Sequence, residues 1–259
     1  MNKKNIYKQF GIEYKGGKIY APFFGWISPV LVNGNSKLGA GVWTFSSLPG
    51  NFIHRVNIDG EVIEIGGTCP CNCSGCYAQT GLYNMPSVKK ALAIRTVLAR
   101  LYPDFLERAI IAQIIADEIK LLRIHASGDF FSVEYVEMWK RIAIRFPGVA
   151  MWTYTKYAPA EKAFDDIANC NVVKSIIPGC GVNFGKCAYI IALYQELKSR
   201  GLPVYICRCG IDKNQHCVNC KGCSAYKYVL FIEHSTAYKA ESDPLFPVLR
   251  EIIENQPAA

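Results

Sequence analysis

From Glu61 onward, short runs of β-branched and apolar residues alternate with stretches in which apolar side chains recur every three or four positions. That is the pattern of βαβ units on a parallel sheet. It predicts strands at EVIEI (61–65), LRIHA (122–126), VAMWTYT (149–155), VVKSII (172–177), PVYIC (203–207) and YVLFIE (228–233). Between the first two, a helix capped by Ser87 is expected to reach Tyr102, and a second to run from Asp104 to Lys120. Ser132 is placed to cap a helix with Val136, Trp139, Ile142, Ala143 and Phe146 on one face. Tyr189, Ala192, Leu193, Glu196 and Leu197 mark another that stops at Gly201, and Asp243-Pro244 opens the last. Residues 1–60 are rich in Gly, Asn and aromatics without a long helical period, and read as an N-terminal capping segment. The β/α core then spans 61–206, and a Cys-rich segment with the last strand and helix spans 207–259.

Six β/α units are too few for a closed eight-stranded barrel. An open or partial barrel and a doubly wound sheet both remain, and in either one ligands bind at the C-terminal ends of the strands. The loop after EVIEI is therefore expected at an active site.

A chain of 259 residues buries a sizeable core without disulfide staples. No apolar run approaches the roughly 20 residues of a membrane span, and MNKKNIYKQF lacks the apolar centre of a signal peptide, so a cytoplasmic location and no membrane partner are expected. In that reducing compartment the 12 cysteines point to metal ligation or catalysis. Cys170, Cys180 and Cys187 stand alone and read as core thiols. The net charge of +8 suits a polyanionic partner, but the basic residues are dispersed and a solvated surface is the favoured reading.

GGTCPCNCSGCYA gathers Cys69, Cys71, Cys73 and Cys76 within eight residues. Cys69, Cys73 and Cys76 are spaced C-x3-C-x2-C, with small turn-forming residues between them that let three thiolates converge. Soft thiolates select iron–sulfur clusters, zinc or copper, and a zinc site closed by Cys71 stays open at this spacing. A second cluster, CRCGIDKNQHCVNCKGC, places Cys207 and Cys209 at a strand end and Cys217, Cys220 and Cys223 in a C-x2-C-x2-C run. An auxiliary iron–sulfur cluster and a zinc site, with His216 as a possible substitute ligand, both answer to it.

The C-x3-C-x2-C loop after the first strand resembles the signature of radical S-adenosylmethionine (SAM) enzymes. The resemblance implies a partial (β/α)6 barrel of radical SAM type, with Cys69, Cys73 and Cys76 holding a [4Fe-4S] cluster whose fourth iron receives SAM. Ser127-Gly128-Asp129, at the end of the second strand, resembles the Gly-Gly-Glu-like motif that holds the SAM amine, and Tyr77 is the aromatic nearest the motif for adenine. A closer similarity, over most of residues 37–223, is to the phage family known as gene product eighty-eight, through KLGAGVWTFSSLP, CNCSGCYAQTGLY, RIHASGDFFSVEYVEMW and MWTYTK.

What the resemblance implies is reductive cleavage of SAM to a 5′-deoxyadenosyl radical that takes hydrogen from a substrate. An electron donor such as flavodoxin or ferredoxin would serve it, in the host bacterial cytoplasm if the chain is phage-encoded. The competing expectation is a two-zinc nucleic-acid-binding protein in which both thiol clusters are structural. His125 reads as a core histidine within a strand, and Tyr154 and Lys156, at the end of the third strand, as residues near the site. Neither an internal repeat nor a phosphate-binding glycine loop is found.

Overall fold

The structure is a computed structural model that describes residues 2–34, 38–50, 52–70, 76, 78, 80–174, 184–208, 211–212, 215–220, 222–232 and 239–256. Cys71, Cys73, Tyr77, Cys180 and Cys209 lie outside the described residues. Helix α1 (Lys3–Gln9) precedes a small antiparallel sheet of β1 (Tyr14–Lys15), β2 (Lys18–Ala21) and β3 (Gly25–Ile27). Then come β4 (Val32–Asn33), β5 (Val42–Thr44) and a hairpin of β6 (Ile53–Ile58) and β7 (Glu61–Gly66). The central part holds α2 (Pro86–Leu101), α3 (Pro103–Ala116), β8 (Leu121–Ile124), α4 (Val133–Arg145), β9 (Ala150–Thr155), α5 (Ala158–Ala163) and β10 (Cys170–Lys174). The last part holds β11 (Phe184–Gly185), α6 (Cys187–Ser199), β12 (Val204–Ile206), α7 (Cys217–Cys220), α8 (Gly222–Ala225), β13 (Tyr228–Ile232) and α9 (Phe246–Glu254).

The main sheet runs β10-β9-β8-β5-β4, parallel throughout except for β4. Its first parallel strand is not EVIEI. That segment is β7, paired antiparallel with β6 through a two-residue turn at Asp59 (φ 52°) and Gly60 (φ 89°). Asp-Gly between two apolar-polar alternations is a strong hairpin signal, and it overrides the parallel-strand expectation. The place of first strand falls to β5, from the stretch expected only to cap, with Val42 beside Leu121 and Thr44 beside Arg123. A second sheet, β11-β13-β12, is parallel as well, and its central strand packs beside β10 through Val173 and Val229. Among the described residues the sheets do not close into a barrel.

Side chains alternate cleanly across the main sheet, as period-2 geometry requires. Leu122, Ile124, Met151 and Val172 point into one core with Tyr7 of α1, Leu106 and Ile110 of α3, Trp139 of α4 and Ala160 of α5. Val42, Leu121, Trp152 and Tyr154 point the other way, toward the second cysteine segment. These helices therefore cover one face, while α8 packs on the other, against β9 and β10.

The expected helices form, with shifted ends. α2 starts at Pro86, whose fixed φ and missing N–H suit a first turn, so Met85 and not Ser87 stands at the cap. α3 stops at Ala116, short of Lys120, because Glu118 turns left-handed (φ 50°) while Ile119 N–H bonds to Ile114 O and Glu118 N–H to Ile115 O. Ser132 caps α4 as expected, accepting from Tyr135 N–H at 3.2 Å. α6 ends at Ser199, with Gly201 (φ 68°) just past its cap making the same closure, but it buries Cys187, Ile190 and Leu197 and leaves Tyr189 exposed. At the free edge of β12, the Gln256 amide acts as a neighbouring strand would: Oε1 accepts from Ile206 N–H at 2.5 Å and Nε2 donates to Ile206 O at 3.2 Å.

Candidate functional site

Past Thr44 the chain keeps hydrogen-bonding alongside β8: Ala126 N–H bonds to Phe45 O at 2.8 Å and Ser47 N–H to Ser127 O at 3.0 Å. Ser127 Oγ donates to Ser47 O at 2.9 Å. The hairpin β6–β7 then leaves and returns the chain to the same edge, where Thr68 N–H bonds to Leu48 O at 2.9 Å. The Thr68 hydroxyl lies 2.9 Å from Ser47 Oγ and accepts from Asp129 N–H at 2.9 Å. The residue just before Cys69 is thus tied to both β5 and β8 extensions. Two glycines make the approach possible. A Cβ on Gly67 would sit 2.2 Å from Gly50 O, and one on Gly128 (φ 80°) 2.0 Å from Ser47 Oγ and 2.6 Å from Thr68 Oγ1. Arg100 of α2 adds a clamp, donating to Gly67 O at 2.9 Å with its guanidinium over the Phe131 ring.

Asp129 is 2 % exposed. Its Oδ1 accepts from Phe130 N–H at 2.7 Å and Thr155 Oγ1 at 2.6 Å, and its Oδ2 from Lys156 N–H at 2.8 Å. Burial pushes its carboxyl up to about 6, against the lowering pull of those three bonds and the Lys156 charge. Cys69 stands within the field of Asp129, Lys156 and Cys76, and burial pushes its thiol up to about 12. Gly128 lets Ser47 and Thr68 approach the strand end, and the Asp129 carboxylate ties the ends of β8 and β9 together.

His125, two residues upstream of Ser127, is left-handed (φ 59°) and 2 % exposed, ringed by Phe45, Phe130, Tyr135 and Trp139. Its Nε2 lies 3.1 Å from the Tyr135 hydroxyl, and burial pushes its ring down to about 3. It is a neutral core histidine holding an unusual backbone conformation next to the site.

The second cysteine cluster lies on the sheet face opposite the helices. Cys207, Cys217, Cys220 and Cys223 line one cavity of about 20 Å³ together with Leu121, Trp152 and Tyr205. The Tyr154 hydroxyl donates to Cys223 Sγ at 2.6 Å, and Tyr205 Oη lies 3.5 Å from Cys220 Sγ. Arg123 sits 5.0 Å over the Tyr154 ring. Asn171 Nδ2 fixes α8 by donating to Cys223 O and Tyr226 O, both at 2.8 Å. Gly222 is required by the Tyr205 ring, whose Cε1 a Cβ would approach to 2.5 Å. Leu38 O accepts from Val218 N–H at 3.2 Å, so the Gly-rich stretch before β5 closes over this segment. His216 Nδ1 is buried with no partner among the described residues. As they stand, no three Cys, His, Asp or Glu side chains among the described residues converge tightly enough to enclose a metal ion.

Tyr154 and Lys156, both expected near one site, separate: Tyr154 serves the second cluster and Lys156 the first. Thr68, Thr155, Arg100 and Tyr205 were not singled out from sequence. For Thr155 the signal was there, since alternation along β9 sends residues 154 and 155 to opposite faces. Cys170 and Cys187 are buried in separate cores, as their isolation suggested. Among the described residues no helix is long and apolar enough to cross a membrane.

Comparison with known proteins turns this arrangement into a family assignment. Residues 29–176, from β4 through the Cys69 loop to the end of β10, match the family profile described as Gene product 88. The chain is 31 % identical over 116 residues to the Gene 88 protein of Mycobacterium phage D29, covering 40 % of this chain and 47 % of the relative. It is 49 % identical over 41 residues to the Gene 88 protein of Mycobacterium phage L5, covering 16 % and 17 %. The matches thus span about half the length of the first relative and less of the second. No solved structure matches. On the profile match across more than half its length, the chain belongs to the Gene product 88 family.

Proposed function

We propose that the chain is an enzyme of radical SAM type, with Cys69, Cys73 and Cys76 as the thiolate ligands of a [4Fe-4S] cluster at the C-terminal edge of the main sheet. The observation that carries this reading is the seating of Cys69: the residue before it is hydrogen-bonded to the extensions of both β5 and β8, at the strand ends where β/α folds bind ligands. The donor set fits, since three soft thiols with small intervening residues suit an iron–sulfur cluster. Bound there, the cluster would supply the electron that cleaves SAM and starts hydrogen abstraction from a substrate.

The chain's own part is positional. Gly67, Thr68 and Arg100 fix where the cysteine loop begins, and Asp129 holds the β8 and β9 ends together near Cys69. Asp129 accepts three bonds from protein donors, two at Oδ1 and one at Oδ2, and Oδ2 keeps capacity for one more donor. The reading rests on the thiols and their edge, and not on the Ser127-Gly128-Asp129 motif.

The test is anaerobic purification and reconstitution with iron and sulfide, followed by electron paramagnetic resonance of the reduced protein with and without SAM and an assay for 5′-deoxyadenosine. A [4Fe-4S] signal that shifts with SAM, and nucleoside release abolished by Cys73→Ala, are the expected results. A first site that takes zinc and gives no iron signal would sink the proposal and turn attention to nucleic-acid binding.

A further inference from the structure

We infer that Cys207, Cys217, Cys220 and Cys223 form a tetrahedral four-thiolate site for a single zinc-class ion, separate from the Cys69 site and independent of the chemistry proposed there. The four side chains come from two segments, the end of β12 and the α7–α8 pair, and all four line one cavity. The space between the thiols, about 20 Å³, is that of roughly one water-sized particle and suits a single ion.

The surroundings agree with a structural ion. Four thiols with no carboxylate in the lining are the donor set of closed zinc sites. Leu121, Trp152, Tyr205 and Val218 stand around the thiols, and four thiolates on a tetrahedral ion would leave no coordination position for water. The Tyr154 hydroxyl on Cys223 Sγ and the Tyr205 hydroxyl near Cys220 Sγ are outer hydrogen bonds of the kind that orient ligands and stabilise thiolates. Arg123, over the Tyr154 ring, brings a cation to an assembly that would carry two net negative charges.

The sulfurs do not yet converge, so binding has a defined stoichiometry: four S–H bonds break, four zinc–sulfur bonds form, and four protons leave to solvent. No electron is transferred. The ion would lock α7 and α8 against β9 and the end of β12, joining the second sheet to the inner face of the first.

The experiment uses the full chain, purified with zinc supplied. Expected are one zinc per chain beyond any iron and, after exchange for cobalt, the intense visible absorption of a tetrahedral thiolate complex. Alkylation mapped by mass spectrometry on the unmodified chain should show Cys207, Cys217, Cys220 and Cys223 protected only when zinc is present. Cys220→Ser should lose the zinc while iron at the first site persists, and Cys73→Ala should do the reverse, so the two proposals fail separately. Tyr154→Phe should weaken zinc affinity by roughly 10- to 100-fold. Loss of about four irons in Cys220→Ser, zinc that survives that substitution, or alkylation unaffected by zinc would each overturn the inference.

Discussion

The two thiol-bearing regions are built by opposite means. Around Cys69 the scaffold is polar: hydroxyls of Ser47, Thr68 and Thr155, backbone groups, one buried carboxylate, and glycines that let chain segments pass within hydrogen-bonding distance. Around Cys220 and Cys223 it is aromatic, with the Tyr154, Tyr205 and Trp152 rings packed over the sheet face. A polar brace depends on every partner being present, because a buried group left unpaired carries its full desolvation penalty. Rings tolerate displacement better, since packing is non-directional. The first region should therefore be brittle and the second forgiving.

The largest expected effect breaks the brace. Gly128→Ala puts a methyl into Ser47 Oγ and Thr68 Oγ1 at a left-handed backbone position, and should cost about 3 kcal/mol or more in urea unfolding. Gly222→Ala pushes only on the edge of the Tyr205 ring, and should cost about 1–2 kcal/mol, with the loss confined to protection of the second thiol cluster. Equal costs would dissolve the contrast.

Next comes acid. His125, pushed down to about 3 in the folded protein against 6.5 in the open chain, leaves the unfolded state binding more protons between those values. Its contribution to stability therefore rises with pH across that window, by up to about 1.4 kcal/mol per pH unit, and is lost on acidification. Asp129, pushed up to about 6 from 3.8, works in the other direction, because the folded state holds its proton more tightly between those values and stability falls as pH rises. His125→Asn keeps a residue that tolerates the left-handed backbone and removes the first slope. Thermal melts from pH 3 to 7 should show the parent nearly flat between 3.8 and about 6, where the two slopes oppose, and the variant losing stability as pH rises across that window; indistinguishable curves would refute the assignment.

The smallest effect separates neighbours. Thr155→Val removes one of the bonds on Asp129 and should lower stability by about 1–2 kcal/mol while raising the pH at which Asp129 titrates. Tyr154→Phe, one residue earlier, should cost about 1 kcal/mol and leave that titration where it was. Carbonyl infrared spectroscopy of the buried carboxyl reads both.

Much of this was legible in the residues. The apolar alternation of β8, β9 and β13 and the caps at Ser132 and Gly201 are local properties, and local rules found them. β5 was missed because its three residues, Val42, Trp43 and Thr44, sit among glycines and too few positions repeat. β7 carries a hairpin signal at Asp59-Gly60, but EVIEI shows it only when read together with IHRVNI before it. The thiol spacings were visible, but the role of Asp129 was not, since its donors come from β9, 26 and 27 residues further on. Nothing in a strand's own residues states which strand will lie beside it.

Strand β9 touches both regions through consecutive residues, Tyr154 at Cys223 and Thr155 with Lys156 at Asp129. Anything bound at one region that favours one position of this strand must, by linkage, be favoured in equal measure by whatever at the other region prefers the same position. An occupant that merely fastens the far face would then act as an effector of the charged edge, with a coupling free energy measurable from either side.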